Sequence, residues 1–311
     1  MRSFGLIALT ALLFASQAEA ASVRRFALVV GNNDGGTDVE TLRYAHQDAR
    51  KMAGVLSELG GYRQDDVVAL YDSGSQDVWR ALDAMQAKLR MLPDDVRTSV
   101  LVYYSGHAKM GSLRLGATRL DLRKLRDRIA GLPADVRIGI IDACESGVLT
   151  REKGGRRGPS FLFDADDRAP TKGLILISSS SENESSQESD ELGGSFFTHY
   201  LTSGLRGDAD ASADQRVTLG EVYRYTYNKT VSVTAHTRSG TQHPTYLYDL
   251  EGQGDIVLTE LGGGSGLGFP EALAGDYIIF DLVGEQVVAE INKAAGAYRQ
   301  LALPPGQYAI K

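Results

Sequence analysis

From Phe26 to about Leu261 the chain alternates short apolar runs with amphipathic stretches. Phe26-Ala27-Leu28-Val29-Val30 stops at Gly31-Asn32-Asn33, a buried-strand run meeting a turn signal. Leu42, Ala45, Ala49, Met52, Ala53 and Leu56 then recur at helical spacing until Gly60-Gly61 ends the pattern. The same reading predicts strands over 67–71, 99–104, 136–141 and 174–177. It predicts helices over 78–89, 120–129, 196–205 and 219–231, and a hairpin-like piece around Leu113-Arg114-Leu115. Strands separated by helices imply an α/β domain with a mainly parallel central sheet covered on both faces. In such sheets the ligand crevice lies beyond the carboxyl ends of the strands. His107 sits just past one such end and Cys144 just past the next.

The alternation breaks at Gly262-Gly263-Gly264-Ser265-Gly266, a flexible composition that predicts a linker over 262–268. Beyond it, 277–282, 286–291, 298–303 and 308–311 read as short strands of a small β-sandwich-like module over 269–311. The chain stops just after a strand start, as a truncated module would, and roughly 45 residues make only a marginal core. At the other end, Arg2, the apolar run from Phe4 to Ala15 and the small residues of Ala18-Glu19-Ala20 form the pattern of a signal peptide over 1–20. About twelve apolar residues are too few for a membrane span of roughly twenty. The expectation is therefore an exported protein, periplasmic or secreted, with a main domain over 22–261.

Composition narrows the function. A net charge of −7 and a pI near 5.3 argue against nucleic acid or an anionic membrane as the main partner. One cysteine in 311 residues excludes an intramolecular disulfide. In an exported protein a lone thiol is either buried and inert or reactive. A cysteine nucleophile needs a base, backbone N–H groups to hold a developing oxyanion, and access. Tyr103-Tyr104-Ser105-Gly106-His107 and Asp142-Ala143-Cys144-Glu145-Ser146-Gly147 carry those parts. Each alone has a plain reading, a buried structural cysteine and a satisfied rim histidine; their coincidence at two strand ends favours chemistry. His46, His199, His236 and His243 lack that context. Gly31-Asn32-Asn33-Asp34-Gly35-Gly36 matches neither glycine-rich phosphate fingerprint, which removes a nucleotide-binding reading.

These two segments resemble the Tyr-Ser-Gly-His-Gly and Asp-x-Cys-x-Ser-Gly motifs of metacaspases, paracaspases and bacterial orthocaspases. The resemblance extends over roughly 25–261 and includes Gly194-Ser195-Phe196-Phe197. It implies a caspase-like three-layer sandwich in which His107 is general base and acid and Cys144 the nucleophile. It also implies an oxyanion site made by the N–H groups of Cys144 and of the residue after the histidine. That residue is usually Gly in the family and is Ala108 here; a backbone donor tolerates Ala unless φ is positive. His107 must be neutral to accept the thiol proton, so a pH optimum near or above neutrality is expected.

The resemblance also bears on substrate. Caspases proper carry Gln two residues before the cysteine, whereas metacaspases and paracaspases carry Asp there and a second Asp on the first helix. Asp142 and Asp48 match those positions. Two carboxylates in a partly dry pocket favour Arg or Lys and disfavour an acidic side chain; Asp48 also reads simply as a favourable acid in an early helical turn. The segment 182–191 has five carboxylates and no Lys or Arg, consistent either with that preference or with a solvated surface. The basic, glycine-rich stretch 151–159 contains Arg156 and Arg157, candidate sites of self-cleavage in a loop that is otherwise simply flexible.

No cofactor is required by this chemistry, and Ca²⁺ enters only as an activator, as in many metacaspases. Asp210, Asp214 and Glu221 have partial EF-hand spacing, but Gln215 stands where the turn glycine belongs and Ser212 weakens the third position; a turn leading into a helix is the preferred reading, with a calcium site the weaker one. The expected function is a cysteine endopeptidase cutting after Arg or Lys in protein or peptide substrates. The rival is a weak or inactive scaffold of the same fold that binds a partner peptide.

Overall fold

The computed structural model describes residues 23–144, 169–181, 184–262 and 264–311. The leader over 1–20 and the Arg156 and Arg157 loop lie outside the described residues. The first half contains β1 (Arg24–Gly31), α1 (Ala45–Leu59), β2 (Val67–Tyr71), α2 (Ser75–Arg90) and β3 (Thr98–Ser105). A small meander of β4 (His107–Lys109), β5 (Ser112–Leu115) and β6 (Thr118–Asp121) follows, then α3 (Leu122–Ala130) and β7 (Val136–Asp142). After β8 (Ala169–Ser178) come β9 (Glu188–Ser189), β10 (Gly194–Ser195), α4 (Phe196–Ser203), β11 (Arg216–Thr218), α5 (Leu219–Thr234), β12 (Thr245–Gln253) and β13 (Val257–Glu260). The C-terminal strands are β14 (Gly266–Phe269), β15 (Gly275–Asp281), β16 (Gln286–Lys293), β17 (Arg299–Ala302) and β18 (Tyr308–Ile310).

Six strands form the central sheet in the order β12-β8-β7-β3-β1-β2. Five run parallel and β12 is antiparallel to β8, closing one edge. Because both faces are covered, strands alternate between two apolar cores rather than between core and water. Ala27, Val29, Leu101, Tyr103, Ile138 and Ile140 pack with the apolar faces of α1, α4 and α5. Phe26, Leu28, Val30, Val100, Val102, Tyr104 and Ile141 pack with α2 and α3 on the other side. That two-sided burial is why the sequence reads as continuous apolar runs.

Some boundaries differ from expectation for local reasons. The helix expected from residue 120 starts at Leu122, because 118–121 pairs with β5 and the Asp121 carboxylate caps the Lys124 N–H at 2.9 Å. The expected linker over 262–268 is largely ordered into the C-terminal module. Ser265 exchanges hydrogen bonds with Leu303, and β14 pairs antiparallel with β17. That module has its own small core of Phe269, Ile279, Ala289, Ile291, Leu301 and Leu303. It is seated on the main domain: the Ser203 hydroxyl accepts from the Glu290 N–H at 3.1 Å, Arg206 donates to the Ala302 carbonyl, and Arg299 donates to the Asp208 carbonyl at 2.8 Å.

The turn reading of Asp210, Asp214 and Glu221 describes their local bonding. Glu221 accepts from the N–H groups of Ala211 and Ser212 and, through its other oxygen, from the Thr218 N–H and hydroxyl. Asp210 accepts from Gln215 N–H and Ser212 hydroxyl, and Asp214 from Arg216 N–H. The segment ends in a capping box of Thr218 and Glu221 that starts α5. Among the described residues no three His, Cys, Asp or Glu side chains converge to hold a metal ion.

Candidate active site

Register brings the two motifs together. Ser105 at the end of β3 pairs with Gly31 on one side and Asp142 on the other, so three parallel strands end level. His107 and Cys144 each follow two residues past that line, on adjacent strands. Gly106 carries the ladder one step further by donating to the Asp142 carbonyl at 3.1 Å. Only glycine fits there: a β-carbon would overlap the Tyr104 hydroxyl and sit 2.9 Å from the Asn32 carbonyl oxygen. Gly106→Ala is therefore expected to cost about 1–3 kcal/mol of stability and to displace His107, lowering both melting temperature and peptidase rate. A variant as stable and active as the wild type would contradict this geometry.

His107 opens β4, half-buried, and its Nε2 lies 2.7 Å from the Glu40 carbonyl oxygen. A carbonyl can only accept, so Nε2 carries the proton and Nδ1 is left as the acceptor. The 33–41 loop that presents Glu40 is tied down by buried Arg114, which donates to the Gly35 carbonyl at 3.1 Å and pairs with Asp38. Desolvation pushes the Asp38 carboxyl up, but the charge of Arg114, hydrogen bonding and Lys109 together hold it below the usual carboxylate range. The Tyr104 hydroxyl donates to the carbonyls of both His107 and Arg114 at 2.9 and 2.8 Å, bracing the base from the core.

Cys144 is half-buried just past β7, its thiol 3.7 Å from the Ser186 carbonyl oxygen. Its approach is fixed by Ala143, whose N–H donates to the Ser179 hydroxyl and whose carbonyl accepts from the Ser180 hydroxyl. His107, Cys144, Asp48, Asp142, Ser105 and Ser195 line one pocket of about 60 Å³. Ala108 is buried and does not adopt positive φ, so the family's glycine is not demanded by this backbone.

Asp48 and Asp142 are 1% and 3% exposed. Asp48 accepts from the Ser195 N–H through both oxygens, at 3.2 and 3.3 Å, and from the Ser105 hydroxyl at 3.1 Å. Asp142 accepts from the hydroxyls of Ser186 and Thr198, each at 2.6 Å, and from Ser195. Burial, followed by the negative charge of Asp142, pushes the Asp48 carboxyl well above its ordinary range. Asp48 is thus more than a favourable acid in a first helical turn; it is half of a desolvated carboxylate pair beside the thiol.

Within the described part of 182–191, Glu184 and Glu188 are partly buried and engaged, while Asp190 and Glu191 are exposed. Glu188 accepts from the N–H groups of Arg43 and Tyr44 at 3.2 and 3.0 Å, closing the open amino end of α1. Asp190 pairs with Arg43 and the Tyr44 hydroxyl, and Glu184 with His243.

The caspase-domain family matches residues 24–252, well over half of the chain. The chain belongs to that family. In fold this caspase domain is similar to the crystal structure of caspase-1 from Spodoptera frugiperda, with a TM-score of 0.52 and 16% identity over 78% of this chain and 92% of that one. No curated protein sequence matches. Family and fold make this a peptidase domain of the cysteine type.

Sequence reasoning did not assign roles to Glu40, Lys51, Ser186 or Thr198. Glu40 acts through a backbone carbonyl, which carries no residue-type signature. The hydroxyls that hold the carboxylates are common residue types. Ser105 and Ser195 stood inside quoted motifs without an assigned role.

Proposed function

We propose that this caspase domain is a cysteine endopeptidase that cuts on the carboxyl side of Arg or Lys. The observation that carries the reading is the buried Asp48–Asp142 pair lining the same pocket as Cys144 and His107. Two carboxylates out of water are stabilised by a guanidinium or ammonium and repel an acidic side chain.

With the substrate cation on this pair, the scissile carbonyl lies over the thiol. Nδ1 of His107 takes the thiol proton while Nε2–H stays on the Glu40 carbonyl, and the sulfur attacks the carbonyl carbon. The oxyanion meets the N–H groups of Cys144 and Ala108. His107 returns the proton to the leaving amine; water, deprotonated by the same ring, then releases the acid from the thioester. Self-cleavage at Arg156 or Arg157 follows from the same preference, as does action outside the cytoplasm from the N-terminal pattern. Among the described residues no helix is long and apolar enough to cross a membrane.

Digestion of a denatured protein mixture, with sequencing of the new termini, tests the preference. Arg and Lys are expected on the amino side of the cut bonds. Asp or Glu there would overturn the reading.

A further inference from the structure

Behind the carboxylate pair lies a buried cation that the proposed reaction does not use. Lys51 sits one turn after Asp48 on α1, on the same face, and is only 9% exposed. Its Nζ donates to the Leu192 and Gly193 carbonyls at 3.1 and 3.2 Å. The next residues are Gly194 and Ser195, and Ser195 is the residue that bonds both Asp48 and Asp142. A β-carbon on Gly194 would lie 2.7 Å from Asp48 Oδ1 and 3.4 Å from Lys51 Nζ, so ammonium and carboxylate flank that glycine closely. When both carboxyls are ionised and the ammonium is protonated, the three groups carry a single net negative charge, the match for one guanidinium.

We propose that Lys51 is a positioning and specificity-determining residue of the basic-residue pocket: it braces the 192–195 turn and supplies the counter-charge that favours the carboxylate form of Asp48. The inference rests on the Arg/Lys reading above. Burial and then the Asp142 charge raise the Asp48 carboxyl, and Lys51 is the foremost opposing influence. Burial in turn lowers the Lys51 ammonium, which Asp48 supports.

The groups facing this pair come from every neighbouring element. Tyr103 and Ser105 lie on β3, Asp142 on β7, Ser195 and Thr198 at the start of α4, and His199 behind them with Glu290 and Lys229. His107, Cys144 and Glu188 stand at the mouth.

The test compares kcat and KM across pH for an arginyl peptide and its neutral citrulline counterpart. In Lys51→Met and Lys51→Gln the pH at which KM for the arginyl peptide levels off is expected to move upward by about one unit or more. Plateau kcat and the citrulline profile are expected to stay within about threefold of wild type, which is under 1 kcal/mol, and Lys51→Arg to restore the wild-type profile. An unshifted profile, or an equal loss for both peptides at every pH, would overturn the proposal. Should neither neutral variant fold, the Nζ resonance of Lys51 in the intact wild-type protein is expected to move on saturation with agmatine; no movement would overturn it. A wild type that does not distinguish arginine from citrulline would instead refute the Arg/Lys reading itself.

Discussion

Cys144→Ala is expected to lower cleavage of an arginyl peptide by about 10⁴-fold or more, the usual scale for removing a covalent nucleophile. His107→Ala should fall by a similar factor, and the double variant should fall no further than either single one. Non-additivity is the diagnostic part: an imidazole whose every proton transfer serves the reaction that the sulfur begins has nothing left to do once the sulfur is gone. Neither change should unfold the protein. Both side chains sit half-buried at the ends of parallel strands, outside the two apolar cores. Residual cleavage in Cys144→Ala near the wild-type rate, or fully additive losses, would show that the two groups do not act as a pair.

The second large effect belongs to the carboxylates. Asp142→Asn and Asp48→Asn should each reduce kcat/KM for an arginyl peptide by about 10²- to 10³-fold, the scale of breaking one buried charge pair at about 2–5 kcal/mol. A citrulline peptide should lose little, so the preference collapses rather than the chemistry.

Stability should move differently. Because folding raises the Asp48 carboxyl above its unfolded value, its contribution to stability is intact below about pH 4 and drains away as pH rises through the folded value. Asparagine does not titrate. The melting temperature of Asp48→Asn relative to wild type should therefore climb as pH rises above about 4, while activity on arginyl peptides is lost. A constant difference across that range would mean that folding does not raise the Asp48 carboxyl.

Much of this was legible before any coordinates. Runs such as Phe26–Val30 and 99–104 read as buried strands from their length and the turn residues after them, and those turns marked the rim on which His107 and Cys144 stand. Asp48 and Asp142 were legible only through family resemblance, since nothing in local spacing says that residues 94 positions apart will share one dry pocket. Lys51 was not legible at all. A lysine on an amphipathic helix ordinarily points to water, and here a turn from residues 192–195 folds over it and replaces water with two carbonyls. The 262–268 linker misled for a related reason. Glycine permits flexibility without requiring it, and Gly266 and Gly268 lie in a strand because β17 supplies the partner. The acidic positions 210, 214 and 221 admit two readings from sequence because N-caps and cation ligands draw on the same residue types.

One covalent experiment tests the centre of the account. The intact protein would be treated with a peptidyl chloromethyl ketone ending in arginine, and the adduct located by mass spectrometry. A single adduct on Cys144 is predicted, formed much faster than with the citrulline analogue and slowed severely by His107→Ala. Absence of an adduct, or labelling at the same rate whatever the terminal side chain and with or without the imidazole, would contradict it.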